Sequence, residues 1–134
     1  MESFAIAVKC VINNNDNVLL LLKTKEEMKD DKIKNKYDLP GGRVIYKEDL
    51  LEAVKREVKE ETNLIVNKME LKSADTVIRD DGLHLVILLY KCFVNDIDVK
   101  ISNEHYGFKW VKANMLKEDY NIPNWIKKSI DKCI

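Results

Sequence analysis

The chain has 134 residues, with 23 Lys+Arg against 23 Asp+Glu, which is long enough for one domain (1–134) with a proper core. Its formal net charge of zero gives no electrostatic reason to expect a nucleic-acid or membrane partner. Three cysteines without metal-ligand spacing suit a reduced, cytoplasmic protein. No leader is visible, and the longest apolar runs, Val18–Leu22 and Leu85–Tyr90, are too short to span a bilayer.

Phe4–Ile12 is rich in β-branched residues and alternates in part, so a first strand is expected there. Asn13-Asn14-Asn15-Asp16-Asn17 is a turn cluster, and Val18–Leu22 should return as a hairpin partner. The mixed charge run from Lys23 to Lys36 reads either as a solvated loop or as a basic rim that meets a polyphosphate. Short strands are expected at Tyr37–Leu39 and Arg43–Ile45, separated by Pro40-Gly41-Gly42. Two glycines let a backbone approach a ligand closely and offer carbonyl oxygens to a metal.

The next segment carries the chemistry. Asp49 can cap a helix, with Glu52 three residues later as its capping-box partner. Glu52 and Arg56 are spaced for an i,i+4 ion pair, and Leu50, Leu51, Val54 and Val58 form an apolar stripe. Asn63 stands where an αL residue ends the helix. Within it, Glu57, Glu60 and Glu61 share one face at i, i+3 and i+4. Glu57 and Glu61 repel at that spacing, and all three lie where the helix dipole favours cations. A divalent cation between them would remove both penalties.

Beyond the helix, Ile65–Lys72 and Asp75–Arg79 are weaker strand candidates. Asp80-Asp81-Gly82 is a turn, and Leu83–Phe93 reads as a buried strand. Gly107–Val111 is expected as a strand and Ala113–Lys117 as a short helix. Pro123 should open a final helix, Asn124–Cys133, with Trp125, Ile126, Ile130 and Cys133 on one face. Strands interleaved with helices give an α/β (α+β) chain whose mixed sheet carries packed helices.

The stretch from Gly42 to Leu64 resembles the box of the Nudix hydrolases, G-x5-E-x7-R-E-U-x-E-E-x-G-U with U apolar. Gly42, Glu48, Arg56-Glu57, Val58, Glu60-Glu61 and Leu64 occupy its fixed positions, and Asn63 replaces the usual glycine. The resemblance implies an α/β/α sandwich and a MutT-like enzyme that hydrolyses a diphosphate bond in a nucleoside diphosphate linked to another group. Hard oxygen donors without His or Cys pairs point to Mg²⁺, with Mn²⁺ as a substitute. By the resemblance, Glu57 and Glu61 are the main ligands, Glu60 shares the site, and a carbonyl near Gly41-Gly42 joins. Glu48 pairs with Arg56 and braces the loop.

The general base is a box glutamate, Glu57 or Glu60, or else Glu104 in the later Asn103-Glu104-His105 loop. Arg43 and Arg79 are candidates for phosphate contacts. Tyr37, Tyr46, Tyr106 and Phe108 are candidates for base stacking, each weighed against core or rim. Val77-Ile78-Arg79-Asp80 lacks the proline that tends to mark ADP-ribose hydrolases, and Asp81-Gly82 stands where dinucleoside polyphosphate hydrolases tend to carry tyrosine. A small nucleoside triphosphate pyrophosphatase, monomeric or homodimeric, is the leading expectation. The alternatives are a catalytically silent nucleotide-binding module, which would usually have lost box acids, and an RNA-decapping enzyme, which would lean on a basic stripe.

Overall fold

A computed structural model of the protein describes residues 2–23, 36–119 and 122–134. The charged run lies almost wholly outside these, so the basic-rim expectation is not addressed by the described residues. In chain order the elements are β1 (Phe4–Asn14), β2 (Asn17–Lys23), β3 (Tyr37–Asp38), β4 (Gly41–Arg43), α1 (Leu50–Thr62), β5 (Lys68–Ile78), β6 (His84–Phe93), β7 (His105–Lys112), a 3₁₀ turn (Ala113–Glu118) and α2 (Asn124–Lys132).

The sheet is mixed. Strand β1 runs parallel to β6 along ten registered pairs, from Phe4↔His84 to Asn13↔Phe93. On its other edge it meets β2 only at the hairpin end, Asn13↔Val18 and Asn14↔Asn17. Beyond that point β1 and β2 part company, and β2 pairs instead with β7 from Asn17↔Lys112 to Lys23↔His105. The short strands fill the opening: β3 pairs with β2 and β4 with β1. Asp38 to Gly41 therefore bridges two diverging strands, and that bridge sets up the site.

Period-two alternation sends neighbouring residues of β1 and β2 to opposite faces. Val8, Cys10, Ile12, Leu19 and Leu21 pack under α1 with Ala53, Val54 and Val58. Val11, Val18, Leu20 and Leu89 pack under α2 with Ile126 and Ile130. One helix on each face makes the expected α/β/α sandwich.

Several expectations need correction. The two strand candidates after the helix are one edge strand, β5, with an irregularity between Leu71 and Ser73. β6 is half-buried rather than buried over most of its length, including all of its first five residues. In α1 the buried stripe is Ala53, Val54, Glu57, Val58, Glu61 and Thr62, while Leu51 is exposed. The core thus takes up two of the three acids. Arg56 does not pair with Glu52, which turns to Lys55 at 3.6 Å. No helix among the described residues is long and apolar enough to cross a membrane.

Candidate active site

The site begins with two glycines. Gly41 has φ 152°, and a Cβ there would lie 2.1 Å from the Val8 carbonyl oxygen. Only glycine lets the chain run this close to β1. A Cβ on Gly42 would instead lie 2.6 Å from Glu57 Oε1, so the missing side chain leaves room for a carboxylate. The Pro40 carbonyl accepts from the Cys10 N–H at 2.8 Å, and the Gly41 N–H donates to Glu61 Oε2 at 2.9 Å.

Helix α1 presents the acids from below. Asp49 caps its start, its carboxylate accepting from the Leu51 N–H, and Asn63 ends it in αL at φ 64° with its N–H on the Lys59 carbonyl. Glu57 and Glu61 lie one turn apart on the buried face, at 9 % and 6 % exposure. Glu60 does not join them: its side chain is 59 % exposed. The common face read from spacing is therefore two buried carboxylates with a third at the rim.

Arg56 ties the cluster together. Its guanidinium makes a bidentate contact to Glu48, at 2.7 Å from Nε and 3.0 Å from Nη2. It also donates to Glu57 Oε1 at 2.9 Å, Glu60 Oε2 at 3.3 Å and the Arg43 carbonyl at 3.1 Å. Glu48 in turn accepts from the Ile45 N–H at 3.0 Å. The Arg56 bond holds the Glu48 carboxyl down at about 2, and the planar fork is what allows one side chain to serve so many oxygens.

Burial, opposed by the Arg56 contact and reinforced by the charges of Glu60 and Glu104, raises Glu57. Burial pushes Glu61 to about 8, with the Gly41 N–H and Lys9 opposing and Glu57 and Asp38 adding to the rise. Two desolvated acids one turn apart are a costly arrangement unless a cation or a proton compensates them.

Among the described residues, no three His, Cys, Asp or Glu side chains already converge to hold a metal ion. The donor type nonetheless fits a hard divalent cation. All the donors are oxygens, two carboxylates are desolvated side by side, and among the described residues Glu57 and Glu61 each have one oxygen outside the hydrogen bonds given above. Glu57 and Glu61 could hold such an ion, with Glu60 and the Gly42 backbone at its edge.

The other candidates are dispersed. Glu104 is exposed on the loop before β7, close enough for its charge to raise Glu57. Arg43 follows the glycines and faces solvent. Arg79 bonds Asp81 of its own turn at 2.9 Å, and no hydrogen bond joins it to the box. Tyr37 is core, 6 % exposed and packed with Leu39 and Leu20. Tyr46, Tyr106 and Phe108 are exposed; His84 stacks on Phe4 at 4.8 Å.

Sequence reasoning missed Lys9 and Asp38. Lys9 Nζ lies 3.1 Å from Asp38 Oδ1 and 3.2 Å from the Leu39 carbonyl oxygen. No local signal could have paired residues so far apart in the chain. Trp125, expected on a buried face, is 44 % exposed and lies 5.8 Å from Lys9 Nζ. It forms one wall of a cleft of about 290 Å³ on the α2 face, with Lys9, Ser73, Val77, Ile87 and Leu89. Ser73 Oγ is buried there without a hydrogen-bond partner among the described residues.

The sequence matches the profile described as NUDIX domain across residues 3–133. Similar proteins include a nucleoside triphosphatase NudI of Escherichia coli O81 (strain ED1a), 29 % identical over 128 residues that cover 86 % of this chain and 88 % of that protein. A solved MutT protein from Methanosarcina mazei Go1 superposes with a TM-score of 0.76 at 25 % identity, covering 98 % of this chain and 93 % of the other. A MutT NUDIX hydrolase from Burkholderia pseudomallei superposes with a TM-score of 0.77 at 19 % identity, over 99 % and 100 % of the two chains, and its likeness is one of fold.

Proposed function

The chain belongs to the Nudix family of hydrolases, and from that premise we propose that it hydrolyses a diphosphate bond of a nucleoside triphosphate with Mg²⁺ at the α1 carboxylates. The observation that carries this reading is the pair of buried acids, Glu57 and Glu61, set against the backbone of Gly41 and Gly42. Two carboxyls buried one turn apart, both pushed up by desolvation, are the arrangement that a bound cation would relieve. The relatives named nucleoside triphosphatase support the substrate class.

Glu57 and Glu61 are the metal ligands in this reading, with a backbone carbonyl of the Gly41-Gly42 pair completing the protein's share and Glu60 at the edge of the site. When bound, the ion supplies neutralisation of phosphate charge and a more acidic water. Arg56, fixed by Glu48, keeps Glu57 in place and leaves its own charge at the rim, where Glu60 also sits. Glu60 and Glu104, both exposed beside Glu57, are the groups available to accept a proton from the attacking water. Arg43, exposed directly after the glycines, is the cation proposed to meet the phosphates.

The α2-face cleft suits the nucleoside. Trp125 and the apolar side chains of Val77, Ile87 and Leu89 offer surface for a flat ring, beside the charged side chains of Asp75, Lys128 and Lys132. Lys9 links that cleft to the strand pair carrying Gly41.

The test is phosphate or pyrophosphate release with Mg²⁺ from a panel of nucleoside triphosphates, oxidised dNTPs, ADP-ribose, dinucleoside polyphosphates, nucleotide sugars and capped RNA, with EDTA as control. Triphosphates should be turned over in a metal-dependent manner, and Glu61→Gln should lose about two orders of magnitude or more. Near wild-type turnover by Glu61→Gln at saturating Mg²⁺ would sink the ligand assignment.

A further inference from the structure

The bridge from Asp38 to Gly41 has an unusual mechanical problem. Its start belongs to β3, which pairs with β2, and its end to β4, which pairs with β1. Because β1 and β2 pair with each other only at their hairpin end, ladder bonds do not tie the two ends of the bridge to one strand. The Gly41 N–H, which orients the Glu61 carboxylate at 2.9 Å, stands at the far end of this span.

Lys9 closes the gap. It lies on β1, in register with Gly41, and its side chain reaches back to the β3 end of the bridge. There the ammonium donates to Asp38 Oδ1 at 3.1 Å and to the Leu39 carbonyl at 3.2 Å. Asp38 Oδ1 also accepts from the Leu39 N–H at 2.8 Å, so the carboxylate and the peptide that follows it form one unit gripped by one cation. The next carbonyl, Pro40, is held by the Cys10 N–H at 2.8 Å. Both Lys9 and Asp38 are about three-quarters buried, at 27 % and 28 % side-chain exposure. A second polar contact on each partner makes such a pair directional rather than a loose surface attraction.

We propose that Lys9 is a positioning residue for the metal carboxylates: by gripping Asp38 and the Leu39 carbonyl it fixes the bridge across the diverging strands, and thereby the Gly41 N–H that orients Glu61. The proposal rests on the reading of Glu61 as a metal ligand. The Gly41 N–H is the group bonded to the ligand, a kind of partner that typically contributes 10–100-fold to metal affinity, and Lys9 acts on it through the bridge.

Two observations on protein without nucleotide test it: Mn²⁺ binding, by counting free Mn²⁺ in electron paramagnetic resonance, and hydrogen exchange of the Gly41 amide by NMR. Lys9→Met keeps the aliphatic stem and removes the grip. It should weaken Mn²⁺ binding about tenfold and speed Gly41 exchange, and Lys9→Arg should recover most of both. Asp38→Asn attacks the same contact from the other side and stands in should Lys9→Met fold poorly. Wild-type Gly41 exchange in folded Lys9→Met or Asp38→Asn would overturn the proposal, as would wild-type Mn²⁺ affinity alongside faster exchange. Failure of the metal reading is separate: it would appear as unchanged Mn²⁺ binding in Glu61→Gln.

Discussion

Gly41 and Gly42 are neighbours, yet a methyl group would harm them differently. At 41 it would strike a strand carbonyl at 2.1 Å, with φ at 152°; backbone cannot move aside cheaply, so Gly41→Ala should lower thermal stability markedly. At 42 the obstacle is the Glu57 carboxylate, the end of a side chain rather than backbone, which could give way only by leaving its Arg56 contact. Gly42→Ala should therefore melt near the wild type while losing tenfold or more in metal-dependent turnover, on the order of 1.4 kcal/mol of transition-state stabilisation. Melting curves and kinetics on the two variants check the contrast. Glu61 allows a pH prediction. Its folded value of about 8 stands above the ordinary 4.5, so the folded state holds the proton more tightly than the unfolded state. Its contribution is fully present below 4.5 and is lost as pH rises to about 8. Without metal, the protein should lose stability across that window, and Glu61→Gln should flatten the loss. Glu48 acts in the opposite sense and in a different window: held at about 2, its contribution is present above 4.5 and fades as pH falls toward 2. Urea midpoints across pH 3 to pH 9 would separate them.

Helix α1 shows what local sequence can specify. Its start and end were legible because caps depend on one or two residues: Asp49 accepts from the Leu51 N–H, and Asn63 takes φ 64°. Asp49→Ala should cost about 1 kcal/mol. Asn63→Gly should change stability by within about 1 kcal/mol, since αL ease in the fold is offset by freedom in the unfolded chain; turnover should stay near wild type. Denaturant titration and kinetics test both. The Arg56 partner shows where local rules fail. Helical spacing favours Glu52, but a bidentate contact to Glu48, itself held by the Ile45 N–H, supplies more hydrogen bonds than an exposed i,i+4 pair. Only the family resemblance pointed to Glu48. Likewise spacing put Glu57, Glu60 and Glu61 on one face without showing that Glu57 and Glu61 are buried, whereas the backbone of Gly41 and Gly42 packs against these two.

At the scale of the molecule, the site depends on pairings that no sequence window contains. The parallel β1–β6 ladder, the parting of β1 from β2 and the Lys9–Asp38 contact all join distant residues. So does the placement of Glu104. The connection from β6 to β7 crosses the end of α1, where the Lys100 N–H donates to the Thr62 carbonyl at 2.9 Å and the Ser102 N–H to the Glu61 carbonyl at 3.3 Å. It satisfies acceptors that a helix end leaves open. Val99 and Ile101 pack on the core beneath it. The same docking carries Glu104 to within electrostatic reach of Glu57 while leaving it exposed, a setting for proton transfer rather than for ligation. Glu104→Gln should therefore lower kcat by about 10²-fold and remove the acidic limb of the pH–rate profile, with Mn²⁺ affinity unchanged. Should affinity fall in step with kcat, Glu104 would be a ligand, and the proton would have to leave through Glu60.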